Sequence, residues 1–379
     1  MDEPIPFYIP SVPKKKALFY LNQALKNHWL TTGPLTAEFE EKLAQFLKVK
    51  RILAVSSGTA ALHLALRVLG IGPKDRVLLP ANTFVATLEV VHHLGAVPVL
   101  GDICPYSWNL SLDEIKKKGR GAKALLLVPF AGNPPPMDEI QMLCQKYGLK
   151  LILDSAHALE ARYKERFLHE YADACAFSFY ATKNLTTAEG GALYLAQESL
   201  YEKARSLSLH GMTREAWLRY QGGTWHYDVK DFGYKMNLSD VHAAIGLAQI
   251  EKLKENHEKR QKLDRLYRKL LHKDGIRLQG LWPEAISAHH LFVISLDPKY
   301  AKREALSNYL REKKIGHSVH FIPLYRFSAV RKTYGFRPSD FPNTENYYQG
   351  ALSLPFFPLL KESQLRKVAL TVDAFLKTL

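Results

Sequence analysis

Between residues 51 and 196 the chain alternates short, almost uninterrupted apolar runs with stretches whose apolar residues recur at helical spacing. The runs that read as strands are 51–55, 76–79, 97–100, 123–128, 150–153, 174–179 and 192–195. Helices are expected over 60–69, 83–94, 137–147 and 198–207. The first of these sets Leu62, Ala65, Leu66 and Leu69 at helical spacing and stops at Gly70. Strands without polar alternation need cover on both faces, and strands joined through helices pair in parallel. The expected fold class is α/β, with a mostly parallel sheet and helices on both faces.

After Ser239 the pattern changes. A long helix is expected over 240–273, charged on one face and apolar on the other. A second region follows, with a strand at 291–295, a helix at 302–314, a strand at 317–321 and a last helix at 361–379. The division this suggests is a large α/β domain over 1–240, a linking helix over 241–274 and a small α+β domain over 275–379. With 47% apolar and 23% charged residues, the chain has material for a large core. Its longest apolar stretch, 124–130, is far short of the roughly 18 residues that suggest a membrane span. The first residues are acidic and broken by Pro4, so no secretory signal is read there. The cysteines Cys104, Cys144 and Cys175 suit neither a disulfide framework nor a zinc knuckle. The expectation is a soluble, cytoplasmic protein without a membrane partner. A net charge of +15 attracts anions. The lysine clusters at 14–16, 116–118 and 313–314 are short and dispersed, with no helix-turn-helix or finger motif, so nucleic acid is not an expected partner.

Three motifs carry chemistry. Ser56-Ser57-Gly58-Thr59-Ala60-Ala61-Leu62 sits where a strand turns into a helix, and small residues there let backbone N–H groups approach a phosphate. The same residues would also serve as an ordinary helix cap. Asp154, in Asp154-Ser155-Ala156-His157, ends a buried strand where α/β sheets bind ligands, or else caps the next turn. No third ligand accompanies Asp154 and His157, and the pairs His92–His93 and His289–His290 point apart, so no metal site is expected. The third and strongest motif runs from 174 to 193. Its strand delivers Ser178 and then Lys183 into a loop of small residues closed by Gly190-Gly191. A lysine in a partly apolar pocket loses preference for its charge and becomes available as nucleophile or base.

Together these motifs suit pyridoxal 5'-phosphate, which needs a phosphate cradle, a lysine, an acid near the pyridine nitrogen and a face to stack on. The sequence resembles the DegT/StrS-type sugar aminotransferases of the fold-type I pyridoxal phosphate enzymes, over about residues 7–375. The landmarks are Trp29-Leu30-Thr31-Thr32-Gly33-Pro34, Ser57 to Leu62, Asn82-Thr83-Phe84-Val85-Ala86-Thr87, Asp154 to Ala158, Phe177 to Gly191, and Gly233 to Gln249. The resemblance implies an aspartate-aminotransferase-like large domain. It makes Lys183 the Schiff-base lysine that also moves the proton, and it sets Asp154 against the pyridine nitrogen. Phe84 becomes the stacking aromatic, and His157 a contact on the other side of the ring or near its hydroxyl. Gly58, Thr59 and Ser178 become the phosphate holders. Asn237 is implied to reach the phosphate of a neighbouring subunit, in a homodimer with shared sites. Relatives that are dehydratases carry histidine in place of Lys183, so amino transfer is favoured. His320 and Tyr325 fall in a substrate-side segment, although many members have histidine where this chain has Tyr325. The run Gly211 to Tyr227, with the segment from Gly233, is most similar to enzymes acting on nucleotide-linked 4-keto sugars. The implied substrate is such a sugar, with L-glutamate as amino donor. The alternatives are an aminotransferase of simple ketones or aldehydes, or a non-catalytic regulatory or binding member of the fold.

Overall fold

The structure is a computed structural model that describes residues 3–212, 228–300 and 302–378. Seven strands form the main sheet, in the spatial order Leu53–Val55, Gly191–Leu195, Ala174–Ser178, Lys150–Asp154, Ala124–Leu127, Arg76–Pro80, Val97–Gly101. Every pairing is parallel except the two made by Gly191–Leu195. The seven strands expected between residues 51 and 196 are all present, with ends shifted by no more than two residues.

Side chains of successive strand residues point to opposite faces, and here both faces are covered. Leu151 and Leu153 enter one core with Leu125 and Leu127, beneath the helices Pro34–Leu47, Met137–Tyr147 and Asp240–Ile250. Ile152 enters the other core with Ala124 and Leu126, beneath Gly58–Val68, Ala86–His93 and Glu198–Ser208. Each fully buried leucine stabilises the fold by roughly 1.5–3 kcal/mol. The helix Gly58–Val68 ends as its sequence suggests, with Gly70 in the left-handed region at φ 77°.

The stretch expected as one helix over 240–273 is two helices, Asp240–Ile250 and Leu253–Leu271. The break has a packing cause. The first helix is buried nearly all round, between Lys14–Lys26 and Pro34–Leu47 in a core of the main sheet, whereas the second lays one face on a different core. That core lies over a three-stranded antiparallel sheet of Ile276–Leu278, Phe292–Leu296 and Ala351–Leu354. Arg303–Glu312 and Glu362–Leu376 cover it. Ile5 joins the same core, pairing beside Ile315 with its N–H on the Lys314 carbonyl at 2.9 Å.

The strand expected over 317–321 does not form. Only Ser318 pairs, opposite Ser353, after which His320 is turned aside by its Nδ1 contact to Ser353 Oγ at 2.8 Å. The Tyr347 hydroxyl donates to the His320 carbonyl at 2.5 Å, removing that oxygen from any ladder.

Candidate active site

The sheet order brings the motif residues together. Gly191 stands opposite Val55 on one side and Ser178 on the other, so the turn after Val55 meets the end of the Ala174–Ser178 strand. The approach is too close for a side chain. A Cβ on Gly191 would lie 2.5 Å from the Ser57 carbonyl carbon and 2.6 Å from the Gly58 nitrogen, and one on Gly58 would lie 2.8 Å from Ser178 Cβ. Ser57 caps the following helix, accepting from Ala60 N–H at 3.0 Å, and Thr59 is exposed in its first turn. Free backbone donors and the helix dipole thus face the same opening as Ser178.

Asp154 ends its strand and is buried. Thr87 donates to its Oδ2 at 2.8 Å, and the Ala156 N–H lies 3.3 Å from its Oδ1. Thr87 has one hydroxyl proton, so Thr83, 2.8 Å away, must be the donor in the pair they form. Burial pushes the Asp154 carboxyl above its ordinary range, while these bonds and the charge of Lys183 pull it back. Burial lowers the Lys183 amine to about 8, opposed by Asp154. The backbone of Lys183 is held too, because the Tyr8 hydroxyl donates to its carbonyl at 2.9 Å.

Aromatic rings line the rest. Phe84 is 59% exposed, a large apolar face left open. Its ring lies 6.0 Å from Phe321, which stacks at 5.8 Å on His157. His157 also meets His290, at 4.4 Å. Burial holds His157 and His290 well below the ordinary imidazole range and takes His320 to about 4, with the Lys183 charge acting in the same direction. Three neutral imidazoles therefore lie within reach of the Lys183 charge.

Lys183, Asp154, His157, His320, Gly58, Ser178 and Phe84 are thus brought together at one end of the main sheet. Asn237 lies beside the strand that feeds it, bridged to Val55, with its amide donating to Thr32 Oγ1 at 2.6 Å and accepting from Lys235 Nζ at 2.6 Å. Ser239, rather than Asn237, caps the next helix. Tyr325 does not meet the expectation of a substrate contact. It is fully buried, stacked 4.8 Å from Phe341 in the core with its hydroxyl enclosed, because Leu324 and Tyr325 fill the space beneath the sheet. Of the run Gly211 to Tyr227, residues 213–227 lie outside the described residues. Sequence reasoning placed Thr87 in a landmark run and Phe321 in the substrate-side segment with His320 but gave neither a role, and it missed His290 and Tyr8 as parts of the site. The paired histidines 289–290 are the one signal that could have pointed to it, since they do point apart: His289 turns to Asp264 at 3.7 Å and His290 to the site.

The chain is 38% identical to the spore coat polysaccharide biosynthesis protein SpsC of Bacillus subtilis, over 98% of this chain and 97% of that one. Among solved structures, Spr1654 of Streptococcus pneumoniae, described as a sugar aminotransferase, has been determined in apo, PMP and PLP forms. Its apo form matches with a TM-score of 0.92 at 28% identity, covering 98% of this chain and 97% of that one. PseC of Helicobacter pylori, an aminotransferase of pseudoaminic acid biosynthesis, matches with a TM-score of 0.91 at 26% identity over the whole of both chains. Fold and site together define a pyridoxal phosphate-dependent transaminase. The chain belongs to the DegT/DnrJ/EryC1/StrS aminotransferase family, whose profile matches residues 13–373. The residues present fit the cofactor. A side chain at Gly58 or Gly191 would fill the cradle, a desolvated amine faces a buried carboxylate, and an aromatic face stands open beside them.

Proposed function

We propose that the protein moves an amino group from L-glutamate to the keto carbon of a nucleotide-linked 4-keto sugar, as a cytoplasmic homodimer with shared active sites. The observation that carries the reading is the amine of Lys183, held near neutrality opposite buried Asp154 and beside the open face of Phe84. When bound, pyridoxal phosphate supplies the electron sink through which an amino group replaces a carbonyl oxygen. The cradle of Ser57, Gly58, Thr59 and Ser178 would hold its phosphate, Phe84 would cover one face of its ring, and His157 would meet the other face or the hydroxyl. Asp154 would hold a proton on the ring nitrogen, whose charge gives that carboxylate the counter-ion that burial otherwise withholds. Lys183 would anchor the group through its amine and carry a proton between Nζ and the substrate carbon, a task suited to a group titrating near 8. The neutral imidazoles of His157, His290 and His320 add no charge to oppose it, and His320 would stand on the substrate side.

The sugar is supported by the relatives, whose names tie them to spore coat polysaccharide and pseudoaminic acid, and by a +15 charge that favours a diphosphate. The dimer is supported by Leu18, Phe19 and Leu25, all more than half exposed on the helix Lys14–Lys26, next to an apolar groove lined by Leu21, Ala181 and Ile245. Unpaired Cys144 and Cys175, both buried, suit a reducing compartment. The test is a two-stage assay. Glutamate should convert the bound cofactor to its amine form, seen as loss of the aldehyde-form absorbance. A panel of UDP-, dTDP- and GDP-4-keto sugars, run beside small ketones and aldehydes, should then restore it. Restoration by small carbonyls alone overturns the sugar assignment, and no conversion by any amino donor overturns the enzyme.

A further inference from the structure

Behind Lys183 runs a line of hydrogen bonds that the proposed reaction does not use. Asn184, the next residue, directs its amide nitrogen at two acceptors, Glu160 Oε2 at 3.0 Å and the Ala288 carbonyl at 2.8 Å. The Ala288 carbonyl can only accept, so it fixes which way the amide faces whether or not Glu160, whose carboxyl burial raises to about 7, holds a proton. The amide oxygen therefore faces away from them, 3.0 Å from His290 Nδ1. An amide oxygen only accepts, so the His290 proton sits on Nδ1 and Nε2 is bare. His157 is set in the opposite sense. The Ala131 N–H lies 3.3 Å from its Nδ1, which leaves its proton on Nε2. The two buried rings pack at 4.4 Å, tilted by 33°. Burial keeps both neutral, so each holds one proton and the tautomers are distinct.

We propose that Asn184 is a positioning residue that locks the tautomer of His290, the ring on which His157 packs, and ties the Lys183 segment to Glu160 and Ala288. The inference deepens the reading of Lys183 given above and rests on it for its catalytic consequence, though not for the tautomers. The hydrogen bonds of Asn184 go to Glu160, Ala288 and His290, so it acts through its neighbours. Glu160 serves in the line as an acceptor, a role that a neutral amide oxygen can also fill.

The test uses the cofactor-free protein labelled with 15N-histidine, read by long-range proton–nitrogen correlation. His290→Gln and His157→Gln identify the two rings. The expected pattern is Nδ1–H for His290 and Nε2–H for His157 in the wild type. Asn184→Ala should let His290 populate its Nε2–H form, whereas Glu160→Gln should leave the pattern intact. Asn184→Ala should also bind pyridoxal phosphate about tenfold more weakly and lower kcat by about tenfold or more with little change in the KM for glutamate, effects that Glu160→Gln should not reproduce. A wild-type His290 protonated on Nε2 overturns the proposal, whether or not Asn184→Ala folds. So does a His290 tautomer unchanged in Asn184→Ala. If the proposal holds but the Lys183 assignment fails, the tautomers are as stated while Lys183→Ala still turns over.

Discussion

Lys183 and Asp154 are each pushed by burial toward the neutral form, and each is drawn back by the other's charge. The amine titrates at about 8 in the folded protein against an ordinary 10.5. Between those values the unfolded chain holds a proton that the folded one has lost, so stability rises with pH across that window and the penalty is full below it. Lys183→Met, which keeps the bulk without the amine, should therefore raise the unfolding temperature of the cofactor-free protein at pH 7. The gain should be worth about 2–3 kcal/mol and should shrink as pH rises above 8; equal stability at pH 7 would contradict the desolvation argument. Lys183→Ala should abolish transamination in the glutamate half-reaction, because among the described residues Lys183 is the amine whose charge acts on Asp154, and substantial turnover would remove Lys183 from the mechanism. Asp154→Asn should fold but slow the same single-turnover step by about 100-fold or more; near-normal rates would contradict its role at the ring nitrogen. At this scale the sequence discloses groups that sit inside a strand–turn motif, such as Asp154, Ser178 and Lys183. It hides a group such as His290, which reaches the site from a segment more than a hundred residues further on. Tyr325 shows the opposite error, a polar-tipped aromatic that the packing between Leu324 and Phe341 has taken into the core.

Among the elements, the antiparallel strand Gly191–Leu195 does most to shape the site, since it stands between the two strands whose ends make the phosphate cradle. What a Cβ on Gly191 would meet is the backbone of Ser57 and Gly58, which cannot swing aside like a flexible side chain. Gly191→Ala should thus destabilise the protein by about 1–3 kcal/mol and weaken pyridoxal phosphate binding, measured by thermal unfolding and by titration of the cofactor-free protein. If both are unchanged, the cradle is not where the cofactor's phosphate sits. Strands and helices of the main sheet are legible because every strand is buried on both faces and reads as an apolar run. The break between Ile250 and Leu253 is not legible, since it follows from two helices serving two cores and leaves no proline at the junction. Nor is the missing strand after His317, where the hydrogen bonds that His320 shares with Ser353 and Tyr347, rather than any breaker residue, end the pairing.

At the scale of the whole molecule the proposed dimer makes a quantitative claim. If each site takes Lys183 from one chain and Asn237 from the other, Lys183→Ala mixed with Asn237→Ala gives heterodimers with one intact site and one doubly damaged site. With free reassortment about half the dimers are mixed, so roughly a quarter of wild-type activity should return. No gain over the separate variants would mean that Asn237 serves its own chain, where it already bonds Thr32. The pairing of Ile5 with Ile315 bears on how the molecule is made. A ribosome adding about 5–20 residues per second leaves Ile5 waiting on the order of 15–60 s for Ile315 to be synthesised. The Tyr8 hydroxyl, three residues on from Ile5, holds the backbone carbonyl of Lys183. The early-made segment that braces the active lysine thus gains its own anchor only near the end of translation, and a nascent chain stalled before Ile315 would carry a lysine loop with one support left unfastened.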